Sequence, residues 1–319
     1  MPRYIRNTVL AAAIEATAGV DATPTGADAL LVFDVNITPL EATNIDRALV
    51  RAYFGASEQL VGTSFVRCSF GVELAGSGTA ATARAWGKLL QGCAFAEASL
   101  STPNRVELSP VSTGLKTLTL YYYDDGVLHK LLGAMGNVKL SAKVGDRPKL
   151  MFDFMGIDGG PVATPNVAPT YTAWKTPVAM TKANVVDVTL GCTYAAGALS
   201  GGTLKKSTGL EIDLGNAVQF TPTLADESVD ITDRQAKGSV QYEMSAADEV
   251  AMIAAVKANA VQSMGFTIGT AAGNKIILFM PKVQHFNLRK EEVNGRRFIG
   301  LDLSLIPDSG NDELRIVTQ

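Results

Sequence analysis

A run of signals in residues 29–160 recurs in the same order in residues 179–307, which restricts the chain to folds built twice over. In the first half Thr38-Pro39-Leu40 leads to Asp46-Arg47, then to a strand-like Arg67-Cys68-Ser69-Phe70-Gly71-Val72-Glu73-Leu74, then to a helix-like stretch over 80–93. In the second half Thr221-Pro222-Thr223-Leu224 leads to Asp233-Arg234, then to Lys237-Gly238-Ser239-Val240-Gln241-Tyr242-Glu243-Met244, then to a helix-like stretch over 246–264. Each half closes on a hairpin. One turns at Gly145 between Val138-Lys139-Leu140 and 150–154; the other turns at Gly295 between Phe286-Asn287-Leu288 and 299–303. The repeat lies in the order of elements rather than in identities. A chain holding two copies of one unit can close a ring with half the usual number of subunits.

The 319 residues suit two domains, and 47% hydrophobic against 18% charged residues describes a folded chain. Residues 1–160 hold 14 basic and 15 acidic side chains and residues 161–319 hold 14 and 16, so neither half is the basic surface that tight phosphate binding needs. No stretch approaches a membrane span, and the N-terminus reads as no signal peptide. Cys68, Cys93 and Cys192 are odd in number and lack metal-ligand spacing; Cys68 and Cys93 fall on apolar faces and read as small core residues, and the chain reads as a soluble protein folded in a reducing cytoplasm.

Along the chain, residues 1–28 read as an N-terminal arm whose Gly19-to-Gly26 stretch is turn chemistry. The first domain, 29–160, includes a long connection over 47–63 with Arg47, Arg51, Tyr53 and Phe54, the kind of loop that serves partners. Val66, Phe70, Val72 and Leu74 share a strand face, while Trp86, Leu89, Leu90 and Cys93 fall at helical spacing. Asp124-Asp125-Gly126 predicts a tight hairpin. Pro161, Pro165, Pro169 and Pro177 mark a linker over 161–178. The second domain, 179–307, includes a helix capped by Ser245 with Val250, Ile253, Ala260 and Met264 as its inward stripe, and 308–319 reads as a tail. The fold class is mainly β, with one flanking helix per unit and two tandem units.

Few residues suggest chemistry. Gly76-Ser77-Gly78-Thr79 lies between strand and helix but lacks the Lys-Ser/Thr or third glycine of a nucleotide loop, so it reads as a turn with Thr79 as a helix cap. His129 and His285 lie in or beside strands with no nucleophile nearby, and the adjacent pairs Glu291-Glu292 and Asp312-Glu313 point to opposite strand faces. No enzyme site and no cofactor or metal are expected. Asp153, between Phe152 and Phe154, and Asp302, between Leu301 and Leu303, take equivalent places in the repeat and face away from the core.

The run from Leu10-Ala11-Ala12-Ala13-Ile14-Glu15 through Gly26-Ala27 resembles the amino-terminal segment of tail tube (major tail) proteins of long, non-contractile-tailed bacteriophages. The resemblance continues through Ile37-Thr38-Pro39-Leu40-Glu41, Arg51-Ala52-Tyr53-Phe54-Gly55, Phe70-Gly71-Val72-Glu73-Leu74-Ala75-Gly76-Ser77-Gly78-Thr79-Ala80, Trp86-Gly87, Ser112-Thr113-Gly114 and Tyr121-Tyr122-Tyr123, covering the first 155 residues well. It implies a β-sandwich or barrel-like domain whose subunits join edge to edge around a lumen, with rings stacked through arms and a long loop. Single-domain members form hexameric rings, so a doubled chain is expected to form trimeric rings with pseudo-sixfold symmetry. On that reading Arg47, Arg51, Tyr53 and Phe54 touch the next ring, and Asp153 and Asp302 face a lumen through which DNA passes without being held. The implied partners are other copies of the chain, a tape-measure protein in the lumen, and tail terminator and distal tail proteins at the ends. The implied location is the virion tail, after assembly in the host cytoplasm. The main rival is a tandem β-domain module that binds a receptor or glycan. A secretion-system inner tube and a hydrolase on a β scaffold rank lower.

Overall fold

The computed structural model describes residues 2–80 and 82–319; Ala81, inside the expected 80–93 helix, and Met1 lie outside it. The first half runs β1 (Thr8–Ile14), β2 (Ala29–Leu30), β3 (Val32–Asp46), β4 (Gln59–Glu73), α1 (Gly87–Gln91), β5 (Phe95–Ser101), β6 (Asn104–Pro110), β7 (Leu118–Asp124), β8 (Val127–Lys143), β9 (Lys149–Asp158) and β10 (Val162–Ala163). The second runs β11 (Val185–Leu190), β12 (Thr193–Ala195), β13 (Ala198–Ser200), β14 (Thr203–Leu204), β15 (Lys206–Asp213), β16 (Asn216–Pro222), β17 (Glu227–Arg234), β18 (Lys237–Glu243), α2 (Ala246–Lys257), β19 (Val261–Ile268), β20 (Ile276–Val293), β21 (Arg296–Ile306) and β22 (Arg315–Thr318).

Strand pairing follows one succession in both halves. The ladder β3-β4-β9-β8-β7-β1-β2 is matched by β15-β18-β21-β20-β19-β11-β14, antiparallel throughout. Register agrees as well as order. Ser69 faces Asp153 across β4 and β9, and Ser239 faces Asp302 across β18 and β21. Two of the repeated motifs do not fall at equivalent places. Thr38-Pro39 lies mid-strand in β3, whereas Thr221-Pro222 ends β16; Asp46 ends β3, whereas Asp233-Arg234 ends β17. The shared feature is a hairpin, the distal β3/β4 arm in one half and β16/β17 in the other.

Alternation builds the core. Val66, Cys68, Phe70 and Val72 of β4 are no more than 1% exposed, and they meet Leu150, Phe152 and Phe154 of β9. The Phe70 and Phe154 rings stack at 5.9 Å, and Phe152 and Phe154 at 5.7 Å. The hairpin turns come where the sequence places them, with Asp125-Gly126 and Asn294-Gly295 all at positive φ, as a two-residue turn between twisted strands requires.

Both helices are shorter than expected. α1 has five residues, because Arg84 turns inward upstream of it and Ala94, at φ 63°, ends the turn. Trp86, Leu89, Leu90 and Cys93 are nonetheless all buried. Thr79 caps no helix; its loop docks on the second half, where Gly76 N–H donates to Asn274 Oδ1 and Gly78 N–H to Gly273 O. Ser245 does cap α2 by accepting from Asp248 N–H, but Asn259 at φ 52° closes the helix two residues after Lys257. Met264 is therefore a β19 residue, and the inward helix residue is Met252 while Val250 is exposed.

The termini and the proline-rich segment also differ from the arm, tail and linker readings. β1 lies between β2 and β7 with Leu10, Ala11 and Ala12 buried, and β22 lies between β20 and β6 with Ile316 and Val317 buried. Val9, Ala11, Tyr121 and Tyr123 form an apolar face on the first half that needs cover, and Val167 and Tyr171 supply it. Thr170 N–H donates to Gly26 O and Trp174 Nε1 to Ala29 O, so residues 161–178 strap the first half rather than spacing two domains.

Candidate assembly surfaces

Within the chain the halves join along a sheet edge. β8 has seventeen residues, and β7 covers only its first part, from Val127 to Ala134. The uncovered edge takes β15, with Lys139 opposite Asp213, Leu140 opposite Ile212, Ser141 opposite Glu211 and Ala142 opposite Leu210. Leu210, Ile212, Leu140 and Ala142 are at most 4% exposed at this seam. On the other face Lys143 pairs with Glu211 at 2.8 Å and Lys139 with Asp213 at 3.5 Å, while Asn137 Nδ2 donates to Asp213. Asn216 locks the corner by donating to Cys93 O and Gly136 O. The sequence motifs gave no role to Lys143, Glu211, Asp213 or Asn216 and placed Lys139 only as a strand residue of the closing hairpin. The available signal was length: strand chemistry over 127–143 runs well past what 118–124 can pair.

The β16/β17 hairpin then folds over the first half. Val218, Phe220, Val229 and Ile231 pack on Met135, Met155 and Phe65, with the Phe65 and Phe220 rings 5.2 Å apart. A buried ion pair, Arg234 with Glu313, closes its base.

β3-β4-β9-β8-β15-β18-β21-β20 is thus one continuous eight-stranded run across both halves. Its non-core face carries both expected aspartates. Asp153 is half exposed near Arg67 at 3.9 Å; partial desolvation raises its pKa, opposed by Arg67 and Lys139. Asp302 accepts from Arg289 at 2.8 Å and from Asn287, and these bonds lower its pKa. The same face holds the Lys139–Asp213 and Lys143–Glu211 pairs, with Arg147 on Glu73 at 2.8 Å. Its charge is balanced, with most cations held by carboxylates.

Arg47, Arg51, Tyr53 and Phe54 all lie in the connection at the tip of the β3/β4 hairpin, where the first three are close to one another and Phe54 projects alone. Arg47 and Arg51 both reach Glu58, and the Arg51 guanidinium lies 6.0 Å from the Tyr53 ring centre. Phe54 and Val50 are fully exposed and Tyr53 is 70% exposed, so each of these apolar side chains stands in solvent without cover from the described residues.

Among the described residues no cluster of His, Cys, Asp or Glu could hold a metal, and no helix is long and apolar enough to cross a membrane. His285 is buried against Tyr242 Oη at 3.4 Å, and burial lowers its pKa to about 4. His129 sits beside the Tyr122 ring. All three cysteines are free and buried, and burial pushes the Cys68 thiol up to about 12.

A family model described as "Phage tail tube protein" matches residues 5–314. No curated protein matches the chain.

Proposed function

The chain belongs to the phage tail tube protein family, and from that premise we propose that it is a doubled tube unit that polymerises into stacked trimeric rings with pseudo-sixfold symmetry. The family is structural and self-assembling, and its place is the virion tail. The observation that carries the finer reading is the unbroken eight-stranded run with one apolar face and one charge-balanced face. Two units already join there edge to edge, as ring neighbours would. The balanced face, with Asp153 and Asp302 on it, lines the lumen. Lysines and arginines already neutralised by carboxylates give little grip on phosphates, so DNA passes during ejection without being retained. The exposed hairpin tip with Arg47, Arg51, Tyr53 and Phe54 contacts the next ring. A tape-measure protein occupies the lumen during assembly in the host cytoplasm, terminator and distal tail proteins cap the ends, and the chain does no catalysis.

Electron microscopy of the concentrated protein tests this reading. Hollow tubes with three chains per ring are expected. Six chains per ring would overturn the doubling argument and keep the tube; solid or branched aggregates would overturn the tube.

A further inference from the structure

The seam inside the chain specifies the seam between chains. β15 pairs on one side with β18 and on the other with β8, but its counterpart β3 pairs, among the described residues, with β4 alone. β8 gives its distal edge to β15, but the distal edge of its counterpart β20, past Gln284, pairs with no strand among the described residues. One chain therefore ends in two unlike free edges, and those edges are the counterparts of the two already joined. We propose, building on the ring reading, that β3 of one copy pairs antiparallel with the distal part of β20 of a second copy, with Thr38 opposite Arg289, Ile37 opposite Lys290, Asn36 opposite Glu291 and Val35 opposite Glu292.

The register follows from the shared ladder. Ser69 and Ser239 are equivalent, so Asn36, which faces Ser69, corresponds to Glu211, which faces Ser239. Across the other strand pair, Met151 and Gly300 are equivalent, so Lys139 corresponds to Arg289 and Ser141 to Glu291. The free edge also carries the kink of the joined one. The β3/β4 register shifts between Phe33 and Asn36 with Asp34 at φ 50°, and the β15/β18 register shifts between Ser207 and Leu210 with Gly209 at φ 130°. Matching bulges give the two edges the same local twist.

Burial points the same way. Leu210 and Ile212 are buried at the internal seam, whereas their counterparts Val35 and Ile37 are only half-buried and would be covered by a second copy. The hairpins give an independent indication. Phe220, Val229 and Ile231 pack on the neighbouring unit, while Ile45, Leu60 and Val61, in the same part of the β3/β4 hairpin, are 52%, 52% and 65% exposed. Because the two edges differ, the contact is head-to-tail, the kind that closes a ring. Its length is also set. Leu214 N–H donates to Val138 O at the internal seam, but Pro39 stands in Leu214's place and has no N–H, so the intermolecular ladder stops at Thr38.

Cysteine pairs test the register. Asn36 is exposed and Glu291 partly exposed on their strands, and the native cysteines are buried, so Asn36→Cys with Glu291→Cys introduces the only reactive thiols. After assembly and mild oxidation, the double variant should give covalent dimers and trimers on a non-reducing gel, and neither single variant should. The pair Asn36→Cys with Arg289→Cys, one pleat out of register, should cross-link at least about tenfold less, because a disulfide tolerates only a narrow Cα separation. Tubes visible by microscopy without the Asn36/Glu291 cross-link, or with equal cross-linking of the offset pair, would overturn the seam and leave the tube reading intact. Cross-linked chains that form no rings would support the seam and overturn the ring.

Discussion

The two hairpins of this chain occupy the same place in the two halves and have opposite surroundings. β16/β17 lies on Met135 and Met155 of the first half, with Val229 only 3% exposed. The distal β3/β4 hairpin reaches away from the chain with Leu40, Ile45, Leu60 and Val61 about half exposed or more. Both sequences are strand-forming and apolar enough to pack. What differs is that one has a unit of the same chain beside it and the other does not. On the proposed ring reading, the exposed apolar surface of the β3/β4 hairpin is the place of a second copy rather than a sign of a poor fold.

Paired substitutions break or sharpen that comparison. Val229→Asp places an unpaired carboxylate in a dry contact and should cost about 3–5 kcal/mol in chemical denaturation of the dispersed chain. Leu60→Asp at the corresponding exposed position should change that stability by less than about 0.5 kcal/mol yet abolish tube formation in micrographs. Equal destabilisation by the two would show that the β3/β4 hairpin packs on its own chain after all.

Next in size is His285, which has no counterpart of its kind in the first half. Burial holds its folded pKa at about 4, below the 6.5 of an unfolded histidine, so the unfolded state binds the extra proton first. Stability should therefore fall as pH drops from 6.5 toward 4, by about 3 kcal/mol at most, and stay flat in this respect above 6.5. His285→Gln should remove that slope in urea titrations at stepped pH, and a slope that survives the substitution belongs to other groups.

At the seam, Asp213→Ala deletes a carboxylate that accepts from Asn137 and from Gly215 N–H, and about 1 kcal/mol should be lost. Thr38→Ala, at the matching position on the free edge, should leave the dispersed chain unaffected. Asp302→Lys with Asp153→Lys is a test of the charged face rather than of stability. Their partners Arg289 and Arg67 are on the surface, so less than about 1 kcal/mol is expected. Phage carrying the double substitution should still assemble tails but eject DNA slowly; unchanged infectivity would remove both residues from the lumen.

Much of the fold was legible, for local reasons. Asp125-Gly126 and Asn294-Gly295 specify turns by backbone chemistry, and the alternation around Asp153 and Asp302 specifies which side of the strand faces water. Helix length was less legible, since the apolar spacing of Trp86 to Cys93 is met by a single turn and Met264 fits a strand as well as a helix. Arg47, Arg51, Tyr53 and Phe54 could be grouped from their crowding in one connection, whereas the seam residues could not, because each is an ordinary charged or polar strand residue until its partner is known.

The sequence by itself determined the tight turns, the buried faces of the strands around Phe70, Asp153 and Asp302, and the order of elements common to the two halves, all set by periods and propensities within a few residues. Only the tertiary structure decided that Thr8–Ile14 and Arg315–Thr318 are sheet strands, and that β8 runs on to receive β15. Pairing is a contact between distant segments through backbone groups that every residue carries, so side-chain pattern can show that an edge exists but not which edge fills it.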